Sequence, residues 1–281
     1  MCNTILSVPQ EVAGQPQDLV MTLFGAFVHP RDRLVWSGGL VTLLGELGFS
    51  PGAARVALTR LAARNMLARA KNGRHVYYAT TPRSAAVLHE GDERIFSLGR
   101  APGPEDDHWT VLWHTIPEAR RLERGRLTRR LRFLGFGPVQ GGTWIVPRDC
   151  AREVTALLDE LGVREHAALM LARPAGPLDL SGFITRVWDL EELAECYRAF
   201  VHDYGRYQTD SVQDDIDDRQ ALLLRTRLIH AFRQFPSLDP ELPEDLVPVP
   251  QHRPEAVRLF HDLYAALAPP AQRHFDEVTT P

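Results

Sequence analysis

Lysine is almost missing from this chain: Lys71 is the one lysine, and every other basic side chain apart from histidine is arginine. Cysteine is scarce as well. Cys2, Cys150 and Cys196 are scattered and odd in number, which excludes a disulfide framework and a paired-cysteine metal motif and fits a reducing cytoplasm. No apolar run reaches the length of a membrane span. The opening MCNTILSVPQEVAGQPQ lacks the basic start and long apolar core of a signal peptide and reads as a loose tail. A cytoplasmic protein with no membrane partner is therefore expected. Signatures of catalysis are absent too. The 11 histidines form no paired motif, and no serine stands in a Gly-x-Ser-x-Gly turn. Asp210, Asp214, Asp215, Asp217 and Asp218 lack the spacing of a calcium loop and read as the solvated start of a helix. No catalytic residue, metal or cofactor is expected.

A further absence is local. Between Leu47 and His89 there is no aspartate or glutamate, while Arg55, Arg60, Arg64, Arg69, Lys71, Arg74 and Arg83 all fall there. The whole chain carries a formal charge of −4, so this stretch is an island of positive potential in an acidic protein. Phosphate binding needs such an island, and affinity built that way falls steeply with salt.

Within that island Ser50 can cap a helix and Pro51 suits its first position. Ala54, Ala57, Leu58 and Leu61 then recur at three- and four-residue spacing to form one apolar face. Arg55, Thr59, Arg60 and Arg64 fall on the other. Two β-like runs follow at 67–71 and 75–79, joined at Asn72-Gly73, a dipeptide suited to a hairpin turn. A helix with a basic outer face followed by a basic hairpin is the signature of a winged helix-turn-helix, whose helix can enter the DNA major groove. The candidate DNA-binding residues are Arg55, Thr59, Arg60 and Arg64 on the helix, with Lys71, Asn72, Arg74 and His75 in the hairpin. The alternative is a winged-helix module that binds protein.

A length of 281 residues suggests two domains or three small ones. Helices are expected at 17–28, at 37–48 and at 82–96 around the basic stretch. The composition turns to Gly, Pro and carboxylates at 99–107, a first boundary. From 108 to 172 the pattern reads strand, helix, strand, strand, helix, strand, with the strand pair turning at Gly141-Gly142; that order is ferredoxin-like. Arginines ring the first helix of this region rather than lining one face. A second boundary falls at 173–182, and beyond it the chain is helical and acidic, with helices expected at 191–204, 217–235 and 255–267. Six prolines interrupt the path between 236 and 254. The expected class is α+β: a winged helix at 18–98, a ferredoxin-like middle domain at 108–172, and a helical C-terminal domain at 183–281 for effector binding and dimerisation.

Three segments in order carry a family likeness: VALTRLAARNMLARAKNGRHVYYATTP, LRFLGFGPVQGGTWIVPR and RTRLIHAFRQFPSLDPELPEDLVP. The chain resembles PaaX-type bacterial transcriptional repressors, the family named for the regulator of phenylacetate catabolism, over about residues 18–275. The resemblance implies a homodimer on double-stranded operator DNA, repressing a catabolic operon until an aromatic acyl-CoA effector releases it. Within the third segment Arg227, His230 and Arg233 lie at helical spacing and are candidates to meet an anionic effector, or equally to hold a domain interface. The segment after Asp239-Pro240-Glu241-Leu242-Pro243 departs from the family, reading VPVPQHRP where a tryptophan-containing stretch is usual. The middle region also looks like the CRISPR-associated ferredoxin-like endonucleases, which raises a metal-dependent nuclease as an alternative. Such a site needs a carboxylate at the end of the first strand. Thr115 stands there, and Glu118 starts a helix whose dipole it complements.

Overall fold

The computed structural model describes residues 14–31, 33–100, 108–173, 179–208, 215–242, 244 and 247–281. Residues 1–13 of the expected N-terminal tail, with Cys2, most of the first boundary, residues 174–178 of the second, Asp210 and Asp214 lie outside them, while Pro16 and Gln17 of that tail already belong to a helix. It is a mixed α and β structure with two antiparallel sheets. Helix α1 (Pro16–Leu23) passes into one π-helical stretch, Phe24–Val28, where the expected helix simply continued. Strand β1 (Val35–Trp36), α2 (Ser37–Glu46), α3 (Pro51–Ala63), β2 (Leu67–Asn72), β3 (His75–Thr80) and α4 (Pro82–Ser97) follow.

Local chemistry explains these elements. The Ser50 hydroxyl accepts from the Ala53 N–H at 3.2 Å, and Pro51 occupies the first turn of α3, where its missing N–H costs nothing. Asn65 ends the helix with a φ of 56°, and its N–H and that of Met66 bond back to the Ala62 and Leu61 carbonyls. This is the paired closure of a Schellman motif. Next, Thr81 and Ser84 cap α4 reciprocally, each hydroxyl accepting from the other's backbone N–H at 2.9 and 3.1 Å. In the small sheet, of order β1-β3-β2, Asn72 pairs with His75. The hairpin loop is therefore Gly73-Arg74, one residue later than expected. Gly73 takes a φ of 58° at the first loop position, which a type II′ turn reserves for glycine.

The middle of the chain holds β4 (Trp109–His114), α5 (Arg121–Phe133), β5 (Gly137–Gln140), β6 (Thr143–Val146), α6 (Ala151–Glu160) and β7 (Ala167–Ala172). That is the strand-helix-strand-strand-helix-strand order read from the sequence. The sheet order is β5-β6-β4-β7, antiparallel throughout. One face packs Leu112, Trp144 and Val146 against Leu127 and Leu131 of α5 and Val154 and Leu158 of α6. The rest of the described chain is helical: α7 (Leu180–Val187), α8 (Leu190–Gly205), α9 (Asp218–Phe232), a single turn at Phe235–Leu238, α10 (Arg253–Ala266) and α11 (Ala268–Thr279). Asp217 and Gln220 form a capping box at the start of α9, and Asp218 pairs with Arg273, which gives this part of the aspartate cluster its task.

Two compact units result, and they do not follow chain order. Unit one takes residues from 1–96, 200–233 and 255–281; unit two takes 97–199 and 234–254. In unit one α9 is a central helix, buried on every side from Ala221 to Ile229, and it packs against α11 and α1. Phe27 stacks on Phe275 with centroids 5.0 Å apart, and Phe232 on Phe260 at 3.9 Å. Buried Arg225 lies over the Tyr264 ring at 3.8 Å and the Phe27 ring at 5.0 Å, and it donates to the Ala26 and Tyr264 carbonyls. In unit two Ile184 and Trp188, from and just after α7, pack on Trp109 and Ile145, covering the second face of the sheet. The Tyr197 hydroxyl donates to Asp239 at 2.7 Å, and Arg253 pairs with both Asp239 and Glu241. The Asp239 and Glu241 carboxylates of the third family-like segment thus serve a buried structural network.

Candidate nucleic-acid interface

Helix α3 buries Ala54, Ala57, Leu58 and Leu61 and turns Arg55, Thr59, Arg60 and Arg64 to solvent. Helices α2 and α3 are joined by a short turn that begins at Leu47 and Gly48. Lys71, Asn72 and Arg74 are exposed at the hairpin tip. His75 is half-buried, its ring edge-on to Trp36 at 5.9 Å, and it accepts from the Arg74 Nε at 3.3 Å. The Thr59 hydroxyl bonds back to the Arg55 carbonyl at 2.9 Å, and Arg64 reaches the Gln17 side chain at 3.2 Å. Among the described residues Arg55, Arg60, Arg64, Arg69, Lys71 and Arg74 pair with no carboxylate. Several arginines elsewhere are paired: Arg33 with Asp276, Arg124 with Glu118, Arg273 with Asp218. The basic charge of α3 and the hairpin is therefore left available to an external anion.

Two side chains on this surface escaped the sequence reading. Val56, 48% exposed, sits beside Arg55 and Arg60 on the outer face of α3, where an apolar group can meet a thymine methyl. Its exposure could have been read from its place off the apolar stripe. Arg69 is exposed on β2, and its charge had been noted without a role.

Arg227, His230 and Arg233 do not converge. His230 and Arg233 meet at Thr22 of α1, whose hydroxyl lies 3.2 Å from His230 Nδ1 and accepts from Arg233 at 2.9 Å. Arg227 faces elsewhere, toward Tyr204 and Tyr207, and burial lowers its pKa. At the nuclease position the Thr115 backbone N–H bonds to the His166 carbonyl, and Glu118 is engaged by Arg124 at 2.6 Å. The described residues include no group of three or more His, Cys, Asp or Glu able to hold a metal ion, and no described helix is long and apolar enough to cross a membrane.

A mixed structure with a basic helix-and-hairpin face, a four-stranded antiparallel middle sheet and helical remainder defines the class. Family models place it more closely. Residues 15–84 match the PaaX-like protein model, residues 102–182 the PaaX protein central Cas2-like domain, and residues 188–277 the PaaX-like protein C-terminal domain. The chain belongs to the PaaX family. It is 27% identical over 262 residues to the transcriptional repressor PaaX of Escherichia coli (strain K12), an alignment that spans 90% of this chain and 80% of that one. In fold it is similar to the solved structure of the uncharacterized protein Rv0674 from Mycobacterium tuberculosis. That match has a TM-score of 0.55 at 20% identity and covers 94% of this chain and all of the other.

Proposed function

We propose that this protein is a DNA-binding transcriptional repressor, with α3 as the recognition helix and the β2–β3 hairpin as the wing of a winged helix-turn-helix. The observation that carries the reading is the carboxylate-free row Arg55, Arg60 and Arg64 on the exposed face of a capped helix, with Lys71 and Arg74 on the adjoining hairpin. The similarity to a relative named a transcriptional repressor supports it. The role is binding rather than catalysis. One such helix reads only a few base pairs, so two copies on a pseudo-palindrome give the protein a site of useful length; a homodimer follows. Selection from random duplexes at low salt tests this. A common half-site motif is expected, and failure to enrich any sequence contradicts the reading.

An aromatic acyl-CoA effector is part of the same proposal, and the family resemblance is what supports it. Unit one offers a route for its effect. Arg64 touches Gln17 at one end of α1, and His230 and Arg233 hold Thr22 at the other. An anion that drew His230 and Arg233 from Thr22 would free α1 and, through Gln17, the DNA-facing Arg64. For a hundredfold release the effector must favour the DNA-free form by about 2.7 kcal/mol, an ordinary coupling energy. Titration of acyl-CoAs and the corresponding free acids against protein on labelled operator tests it; equal potency of the free acids contradicts a role for CoA.

A further inference from the structure

Unit two contains a cavity that neither the DNA reading nor the effector reading uses. It is about 590 Å³ in volume, lies between α5 and the β5–β6 hairpin, and is lined by His114, Arg121, Arg124, Arg129, Pro138 and Trp144 among others. That is the size range of small-molecule sites. Its wall on the α5 side is strongly basic. Arg124 is held by Glu118 and by the Ile116 carbonyl, but Arg121 and Arg129 are exposed and have no carboxylate partner among the described residues. The hairpin wall sets Pro138 beside the buried Trp144, with Gln140 and Thr143 at the turn.

At the end of β4 stands a polar group without a partner. His114 is 7% exposed, and its Nδ1 makes no hydrogen bond. An unpartnered buried nitrogen costs about 1–3 kcal/mol, so such atoms are uncommon unless something answers them. Gly142 packs directly on this ring: a Cβ there would stand 3.3 Å from His114 Nδ1 and 2.4 Å from the His114 carbonyl oxygen. Only a glycine lets the hairpin turn lie this close, and its φ of 85° suits no other residue.

We propose that this cavity binds an organic phosphate, with Arg121 and Arg129 of α5 meeting the phosphate oxygens, the His114 imidazole in the lining, and Pro138 and Trp144 holding the apolar or aromatic part. Guanidinium forks match phosphate geometry with two parallel hydrogen bonds, which is why a wall carrying Arg121 and, two turns further along α5, Arg129 favours this class over a neutral ligand. The inference is independent of the DNA reading.

The test uses the full chain and pyrophosphate, ADP and adenosine as probes, followed by calorimetry and by the imidazole nitrogen shifts of His114. Pyrophosphate and ADP should bind one site and move the His114 signal, and adenosine should bind at least tenfold more weakly than ADP. Arg129→Glu and Arg121→Glu alter exposed positions and should leave the melting temperature unchanged while weakening ADP binding at least tenfold. Absence of saturable binding by pyrophosphate and ADP, or binding indifferent to both charge reversals, overturns the proposal. Duplex DNA serves as the other arm. If Arg129→Glu weakens binding of every duplex and leaves ADP untouched, these arginines serve the DNA backbone and the pocket assignment fails; unchanged duplex binding alongside lost ADP binding is the expected result. Arg60→Ala, far along the chain in α3, reports separately on the recognition helix.

Discussion

Gly39 of α2 lies against Thr279 of α11: a Cβ placed on Gly39 would stand 2.6 Å from the Thr279 Cα and 2.4 Å from the Val278 carbonyl oxygen. The contact is backbone against backbone, so neither side can yield as a flexible side chain would. It brings α11 onto α2, the helix that precedes α3. Around it Arg31 and Arg33 pair with Asp276, and His274 and Arg219 meet Glu46 of α2.

Gly39→Ala should therefore destabilise the protein by about 1–3 kcal/mol, the usual cost of forcing atoms into a filled space. Gly45, in the same helix, has nothing within 4 Å of its would-be Cβ. Gly45→Ala should gain up to about 1 kcal/mol from helix propensity alone. Thermal melts of the two variants side by side check this. Equal melting temperatures would show that α11 does not press on α2.

Arg225 gives a second stability test. It has two aromatic faces around its guanidinium and two carbonyl acceptors, so Arg225→Ala removes packing and strands buried oxygens together. A loss of about 3 kcal/mol or more is expected in urea unfolding. Arg225→Lys should recover only part of it, because one ammonium cannot present the planar fork to both carbonyls and both rings. Full rescue by lysine would contradict the geometry.

The sign of one pH dependence also follows. Burial pushes the Asp92 carboxyl from its ordinary 3.8 up to about 6, with His29 and His89 pulling partly the other way. Its folded pKa thus lies above its unfolded one, so the group favours folding fully below about pH 4 and loses that contribution as pH rises through about 6. Asp92→Asn removes the buried charge. Stability at pH 7.5 should rise by about 1–2 kcal/mol once solvent screening is allowed for, with little change at pH 4. A variant that tracks the parent protein at both pH values would contradict it.

Much of this fold is visible in the residues. Ser50-Pro51 and the Ala54, Ala57, Leu58, Leu61 spacing place α3 and its outward arginines, because capping and helical periodicity are local. The middle domain's strand and helix order is likewise local patterning. Other features are not. The expected helices end at 267, and α11 is not among them; Pro269 and Pro270 open it, since proline is tolerated in the first helical turn. The packing of α9 and α11 with α1 and α2 leaves no local trace: Phe27 and Phe275 are each merely apolar residues on their own helices until the chain brings them together. Helix α9 carries Arg219, Thr226 and His230 along one side, a pattern that suggests a solvent face, so its burial on all sides from Ala221 to Ile229 and the separate engagements of Arg227 and Arg233 could not be read from their spacing. The unpartnered His114 nitrogen belongs to the same class, being defined by what the Gly142 turn places over it.

Binding of Arg60→Ala and of Lys71→Ala to the selected operator and to unrelated duplex, each across a salt series, tests the central proposal most directly. Arg60 projects from the exposed face of α3, and an arginine paired to a guanine edge is worth about 1–3 kcal/mol of discrimination. Arg60→Ala should cut operator affinity roughly tenfold or more while changing unrelated duplex far less. Lys71→Ala, at the hairpin, should weaken both duplexes alike and flatten the salt dependence by about one counterion. The contrary result is an operator-to-unrelated ratio that Arg60→Ala leaves intact, which would remove α3 from the role of recognition helix.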